Sequence, residues 1–356
     1  MKHHVFSYTP AGLNFVAIGG GNGLSTVLSG LKRFVHAAEV EPIWLENLSA
    51  IVAVTDDGGS SGRLREELQI LPPGDIRNCM VALSEDSRLL SRLFRHRFSG
   101  DGDLGGHSFG NLFLAALSEV TGDFAEAVKL SSEILASKGH IYPATVADVR
   151  LAAELADGSV VKGETAISKV GREIERLYLE PSDCKPMAEA LAAIDGADAI
   201  ILGPGSLYTS LLPPILVEGV ADRIAASPST KIFVCNLMTQ PGETDGMTAR
   251  AHLETVRRYA PQIDFDYVIV NDRPVTGELL DKYASEGAEQ IGVHGSISPE
   301  TIEGAEIVYG NLLDDGPMVR HDPEKLAQVL LLCALQPQER SITNDRSRIT
   351  TAEIPS

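Results

Sequence analysis

Two adjacent carboxylates, Asp56 and Asp57, open the stretch "TDDGGSSG" at residues 55–62. Such a pair can accept a ribose hydroxyl, or hold a divalent cation that bridges phosphates. The same residue types also make a polar turn with no ligand at all. Two glycine loops offer chemistry that would complement the carboxylates. The first, Gly19, Gly20, Gly21, Asn22 and Gly23, follows the apolar run "FVAI" and precedes an amphipathic segment. Backbone amides at such a helix start can hold a phosphate. The second, "GPGSLYTS" at 203–210, presents Gly203, Gly205 and Ser206 after a fully apolar run.

Two further stretches carry candidate side chains. "PPGDIRNC" sets Asp75, Arg77 and Asn78 at a helix start, where Arg77 can clamp a phosphate. "LGGHSFGN" carries His107, Ser108 and Asn111, and a loop histidine can act as acid, base or phosphate donor. The plainer alternatives are a solvated arginine on a helix face and a structural histidine. Several motifs are excluded by spacing. A G-x-G-x-x-G frame fails, because counting from Gly19 ends on Leu24 and from Gly21 on Thr26. No Walker A loop occurs, and Ser206 lacks the G-x-S-x-G frame of a hydrolase nucleophile.

These residues need elements to hold them. The run 15–18 reads as a strand followed by a helix from about residue 24, and "LSAIVAV" at 48–54 reads as a second strand. Helical spacing dominates to about residue 136. Around 140–180 the pattern alternates about Asp157-Gly158, a hairpin signal, and "IERLYLE" reads as a third strand of a small β insertion. Strands and helices then alternate through "ADAIILGPGS", "LLPPILVEGVADRIAAS", "KIFVCNL", "TARAHLETVRRYA" and "DYVIVND". That rhythm implies an α/β fold with a mostly parallel, doubly wound sheet. "HDPEKLAQVLLLCAL" closes it, with Asp322 as N-cap and Pro323 at the first helical position. One domain over 14–336 is expected, with a polar, disordered tail at 337–356.

Composition narrows the partners. The formal net charge is −19, from 30 basic and 49 acidic residues. Such a chain repels a phosphate backbone, so nucleic acid is not an expected partner, whereas a small phosphate ligand is compatible. Four scattered cysteines with no C-x-x-C pair argue against a disulfide framework or zinc site and fit a reducing compartment. The start "MKHHVFSYTPAG" lacks an apolar leader core, and no run of about 18 apolar residues occurs, so a cytoplasmic protein without a membrane partner is expected.

Taken in order, "GGGNGLS", "TDDGGSSGRLREEL", "PPGDIRN", "GHSFGNL", "ILGPGSLYTSLLP" and "CNLMTQPGETDG" closely resemble the YvcK-type proteins. These gluconeogenesis factors are a branch of the superfamily that includes 2-phospho-L-lactate transferase (CofD). The resemblance covers about residues 14–335. It implies a Rossmann-like α/β core with an inserted β segment. The branch is associated with UDP-sugars such as UDP-N-acetylglucosamine, with growth on gluconeogenic carbon sources, and with cell shape and peptidoglycan supply. Carried over by motif, the first glycine loop, Asp56, Asp57, Asn111 and the second glycine loop line the nucleotide cleft. Tyr283 and Arg320 look like ligand contacts in this branch, a ring to stack on a base and a fork for a diphosphate. Asn22 stands where the family usually has Thr, which removes a hydroxyl.

Three functions compete at this point. The first is a regulator that binds a nucleotide diphosphate sugar without turnover and signals to a cell-envelope or metabolic protein. The second is a transferase in which Asp56 and Asp57 hold Mg²⁺ while Arg77 stabilises the leaving nucleotide. The third, a nicotinamide oxidoreductase, is opposed by the failed fingerprint. Whether the chain forms a homo-oligomer is left open by the sequence.

Overall fold

The computed structural model describes residues 12–38, 43–85, 88–292 and 301–335. Short runs rich in Val, Ile, Leu and Ala become the central strands. In chain order the strands are β1 (Leu13–Gly19), β2 (Leu45–Val52), β3 (His140–Pro143), β4 (Arg150–Leu155), β5 (Val160–Lys162), β6 (Ile174–Glu180), β7 (Ala199–Leu202), β8 (Thr230–Val234), β9 (Tyr267–Asn271), β10 (Thr301–Ile302) and β11 (Ala305–Gly310). Eight of them form one sheet in the order β10-β11-β9-β8-β7-β1-β2-β3. Only the β10–β11 pair is antiparallel. Strands β7, β8 and β9 are buried along their whole length, as a parallel sheet covered on both faces requires. The expected doubly wound α/β architecture is present.

Strand order locates the ligand edge. From β1 the chain moves outward through β2 to β3, then returns to the other side of β1 with β7 and runs outward again through β8 and β9. The β1–β7 boundary is therefore the switch point, beyond whose carboxyl ends ligands bind in such sheets. Backbone hydrogen bonds align the loops there: Gly203 N–H donates to Ile18 O at 3.2 Å, and Ala53 N–H to Gly19 O at 2.9 Å.

Helix α1 (Gly21–Leu31) buries Leu24, Val27, Leu28 and Leu31, one helical face at i, i+3, i+4 and i+7. Helices α2 (Gly59–Leu68) and α3 (Gly74–Leu83) follow β2. Helices α4 (Arg88–Arg95), α5 (Phe109–Thr121) and α6 (Phe124–Ile134) lead to β3. Asp322 caps the helix Pro323–Leu335 as expected, accepting the N–H groups of Glu324 and Lys325 at 2.9 and 3.1 Å.

The β insertion is narrower than the alternation suggests. Strands β4, β5 and β6 form a separate antiparallel sheet in the order β5-β4-β6, with α7 (Glu164–Ile167) between β5 and β6. His140–Pro143 instead pairs with β2 as an edge of the main sheet. Four residues are too few to carry a period of their own. The segment "LLPPILVEGVADRIAAS" also breaks into shorter pieces, Leu212–Leu216 and Val220–Ala226. Gly219 turns left-handed at φ 80° between the two, whereas Pro213 and Pro214 sit in the first turn of the first piece, where no N–H is needed. The tail 337–356 lies outside the described residues. All four cysteines are free and buried. No helix among the described residues is long and apolar enough to cross a membrane.

Candidate functional site

The two glycine loops meet face to face at the switch point. A Cβ on Gly23 would lie 2.1 Å from the Pro204 carbonyl oxygen, so only glycine allows this approach. Gly21 has φ +62°, a left-handed geometry that a side chain strains. No acidic residue lies in the first turn of α1 and Gly20 has no side chain to cap it, but the Asp75 carboxylate reaches in from elsewhere in the chain to take the Gly21 N–H. Asn236 fixes the second loop by bonding both ways with Gly205: its Oδ1 accepts the amide at 3.0 Å and its Nδ2 donates to the carbonyl at 2.8 Å. Beyond Ser206 the chain makes a single π turn, in which Leu211 N–H reaches Ser206 O at 3.0 Å. Such turns recur at functional sites.

Between these loops opens a cleft of about 690 Å³. Gly20, Gly21, Asn22, Gly23, Gly205 and Ser206 line it, and so do Tyr283 and Arg320 from the far end of the chain. Gly19 and Gly203 end their strands just behind it, both with positive φ. Arg320 is exposed, and its guanidinium forms no ion pair among the described residues. Tyr283 Oη accepts the Val319 N–H at 3.2 Å, which ties the ring to the segment bearing Arg320.

The carboxylates are arranged differently from the expected Asp56–Asp57 pair. Asp57 Oδ1 accepts both the backbone N–H (2.9 Å) and the Oγ1–H (2.7 Å) of Thr165. It thereby caps α7 from another part of the chain, and its charge faces the N-terminus of that helix. Asp56 Oδ1 accepts Gly58 N–H at 2.9 Å, and the charge of Asp56 acts on Asp75. Asp75 accepts the Gly21 N–H and is pushed up to about 6, by burial first and by Asp56 second. Glu164 on α7 lines the cleft and is raised well above its ordinary value by burial, then by Asp75 and Asp56. Glu243, also on the cleft wall, is raised to about 7 by burial.

Arg77, Asn78, His107 and Asn111 do not line the cleft; they form an adjoining network. Arg77 donates to Ser108 Oγ at 2.7 Å and to Asn78 Oδ1 at 2.6 Å. Ser60 Oγ bonds His107 Nδ1 at 3.0 Å and accepts Asn111 Nδ2–H at 3.1 Å. His107 and Asn111 are buried, and His107 titrates below its usual value because of burial and then Arg63. His107 thus joins α2 to the start of α5.

The family model described as "2-phospho-L-lactate transferase CofD" matches residues 15–313. The chain belongs to the CofD family. Within it, this CofD-family chain is 42% identical over 314 residues to the gluconeogenesis factor of Bacillus subtilis, covering 88% of this chain and 95% of that protein. It is 44% identical over 318 residues to the gluconeogenesis factor of Halalkalibacterium halodurans, covering 89% and 95%. A crystal structure of a UPF0052-family protein from Bacillus halodurans superposes with a TM-score of 0.81 at 42% identity, covering 90% of this chain and 99% of that one. The resemblance read from the motifs is thereby shown, and it supports a regulatory or CofD-like role.

Several cleft residues of this CofD-family chain escape motif reading. Gln240 donates to Ser206 Oγ at 2.7 Å, and its Oε1 is buried without a partner. His321 is buried beside Arg320, its Nε2 also lacks a partner, and burial lowers its pKa to about 4. Gln240 and Glu243 sit inside "CNLMTQPGETDG", and His321 follows Arg320 directly, so their neighbourhoods carried a signal. Glu164 carried none.

Proposed function

We propose that the cleft binds a nucleoside diphosphate sugar of the UDP-N-acetylglucosamine kind. The protein then acts in the cytoplasm as a regulator of central carbon metabolism, cell shape and peptidoglycan synthesis, without turnover and through a cell-envelope or metabolic protein partner. The observation that carries this reading is the closure of Gly23 on Pro204, which sets two glycine loops around one space. A diphosphate suits those amides. Across the same space, Tyr283 offers a ring and Arg320 a fork-shaped cation. The test is a thermal-shift comparison of UDP-N-acetylglucosamine, GDP and NAD, each with and without Mg²⁺. A ligand at 100-fold excess over its Kd stabilises by about 2.7 kcal/mol. Selective stabilisation by the UDP-sugar, lost in Arg320→Ala, is the expected result.

A second reading, a Mg²⁺-dependent transferase, draws on the convergence of Asp56 and Asp75. Asp56 Oδ2 makes no hydrogen bond among the described residues, and the pair offers the hard oxygen donors that Mg²⁺ prefers. A cation there would offset the burial and the Asp56 repulsion that together raise Asp75. Asp57 fits this role poorly, because Thr165 already takes both of its hydrogen bonds on Oδ1. When bound, the ion would neutralise charge on a phosphate undergoing transfer. Stabilisation by guanine nucleotides only with Mg²⁺ selects this reading over the first.

A further inference from the structure

Arginine side chains crowd one loop outside the cleft, in a chain whose net charge is −19. Arg63 donates to Gly105 O at 2.7 Å and to Asp103 O at 2.6 Å. Arg97 donates to Gly106 O at 2.6 Å, and Arg77 to Ser108 Oγ at 2.7 Å. Three guanidinium groups thus rest on residues 105–108. Arg95 ends α4 two residues before Arg97, and the charges of both disfavour the charged form of Arg77. None of the four forms an ion pair among the described residues, although Arg65, on the same helix as Arg63, is paired with Asp148.

That arrangement concentrates positive charge, offset in part on Arg77 by Asp75 and Asp56. Like charges gathered at one place repel, and neutral carbonyl partners leave the net charge in place. Arg77 Nε is buried with no partner at all, a loss that native structures avoid unless something else completes the site. The N-terminus of α5 adds to the positive field, with Ser108 as its N-cap. Arg95 and Arg97 are exposed and within reach of a ligand.

We propose that Arg63, Arg77, Arg95 and Arg97 form a second anion site that holds the phosphate group of a co-ligand. A phosphate dianion balances more than one guanidinium and accepts the paired N–H bonds of an arginine fork. Asp56 and Asp75 also act on Arg77, and Asp75 touches the first glycine loop through Gly21 N–H. Asp75 therefore links this site to the first glycine loop of the cleft.

Inorganic phosphate is the probe, titrated calorimetrically into the full chain at constant ionic strength. Saturable binding is expected, weakened at least tenfold in an Arg95→Gln/Arg97→Gln variant whose response to UDP-N-acetylglucosamine is unchanged. Hydrogen exchange on the wild-type chain gives a reading independent of any variant: phosphate slows exchange over residues 97–108. Absence of saturable binding, equal binding in the variant, or slowing confined to residues 20–23 overturns the proposal. Loss of the UDP-sugar response alone, with phosphate binding intact, counts only against the cleft reading.

Discussion

Gly21 and Gly23 stand two residues apart, yet each excludes a side chain for a different reason. At Gly21 the space is open and only the left-handed backbone resists, so Gly21→Ala should cost about 1–2 kcal/mol of stability and keep most ligand affinity. At Gly23 an added Cβ meets the Pro204 carbonyl, so Gly23→Ala must push the two loops apart. Its UDP-N-acetylglucosamine affinity should fall tenfold or more; calorimetry and urea unfolding on both variants separate the two effects. The buried acids give a second residue-scale prediction. Asp75 is raised from 3.8 to about 6 and Glu243 from 4.5 to about 7. Each binds its proton more tightly folded than unfolded, so each favours the fold at low pH and withdraws that support as pH rises through the window. Relative to the wild type, Asp75→Asn/Glu243→Gln should gain stability between about pH 4 and pH 7. A constant difference across urea melts in that range would show that neither group titrates there. Legibility followed the same divide. Glycine loops announce themselves locally, because a backbone need is met by one residue type. The direction in which Arg77, His107 and Asn111 point is set by packing between α2, α3 and α5, which their own motifs do not encode.

At the scale of elements, the small sheet does more than interrupt the large one. Its helix α7 is anchored by Asp57 through Thr165, and the anchor holds Glu164 on the cleft wall. Thr165→Val removes the 2.7 Å hydroxyl bond and keeps the backbone one. Its expected cost is about 0.5–1.5 kcal/mol, with faster hydrogen exchange over residues 163–168 while the main sheet stays protected. Unchanged exchange there would mean that α7 is held by other contacts. Most of the main sheet was readable because buried parallel strands are short apolar runs, and glycine ends or follows two of them, β1 and β7. β3, β10 and β11 were not read. β3 and β10 have four and two residues and become strands only because β2 and β11 present an edge to them, and β11 takes its place beside β9.

For the whole molecule, charge sets how an anionic ligand arrives. A net charge of −19 repels a diphosphate at a distance, while α1 and Arg320 attract it only at close range. Salt screens the distant field more than the near one. The association rate of UDP-N-acetylglucosamine, measured by stopped flow, should therefore rise between about 0.01 M and 0.15 M salt; a fall would show that the local field dominates the encounter. The contact between Gly23 and Pro204 has a further consequence, in time. The cleft draws on residues from Gly20 to His321, so no nascent fragment lacking the last strands can assemble it. Contacts this distant along the chain are slow to form. Ligand capture by a ribosome-released chain would thus report the final step of maturation, and excess ligand would trap chains that have reached it.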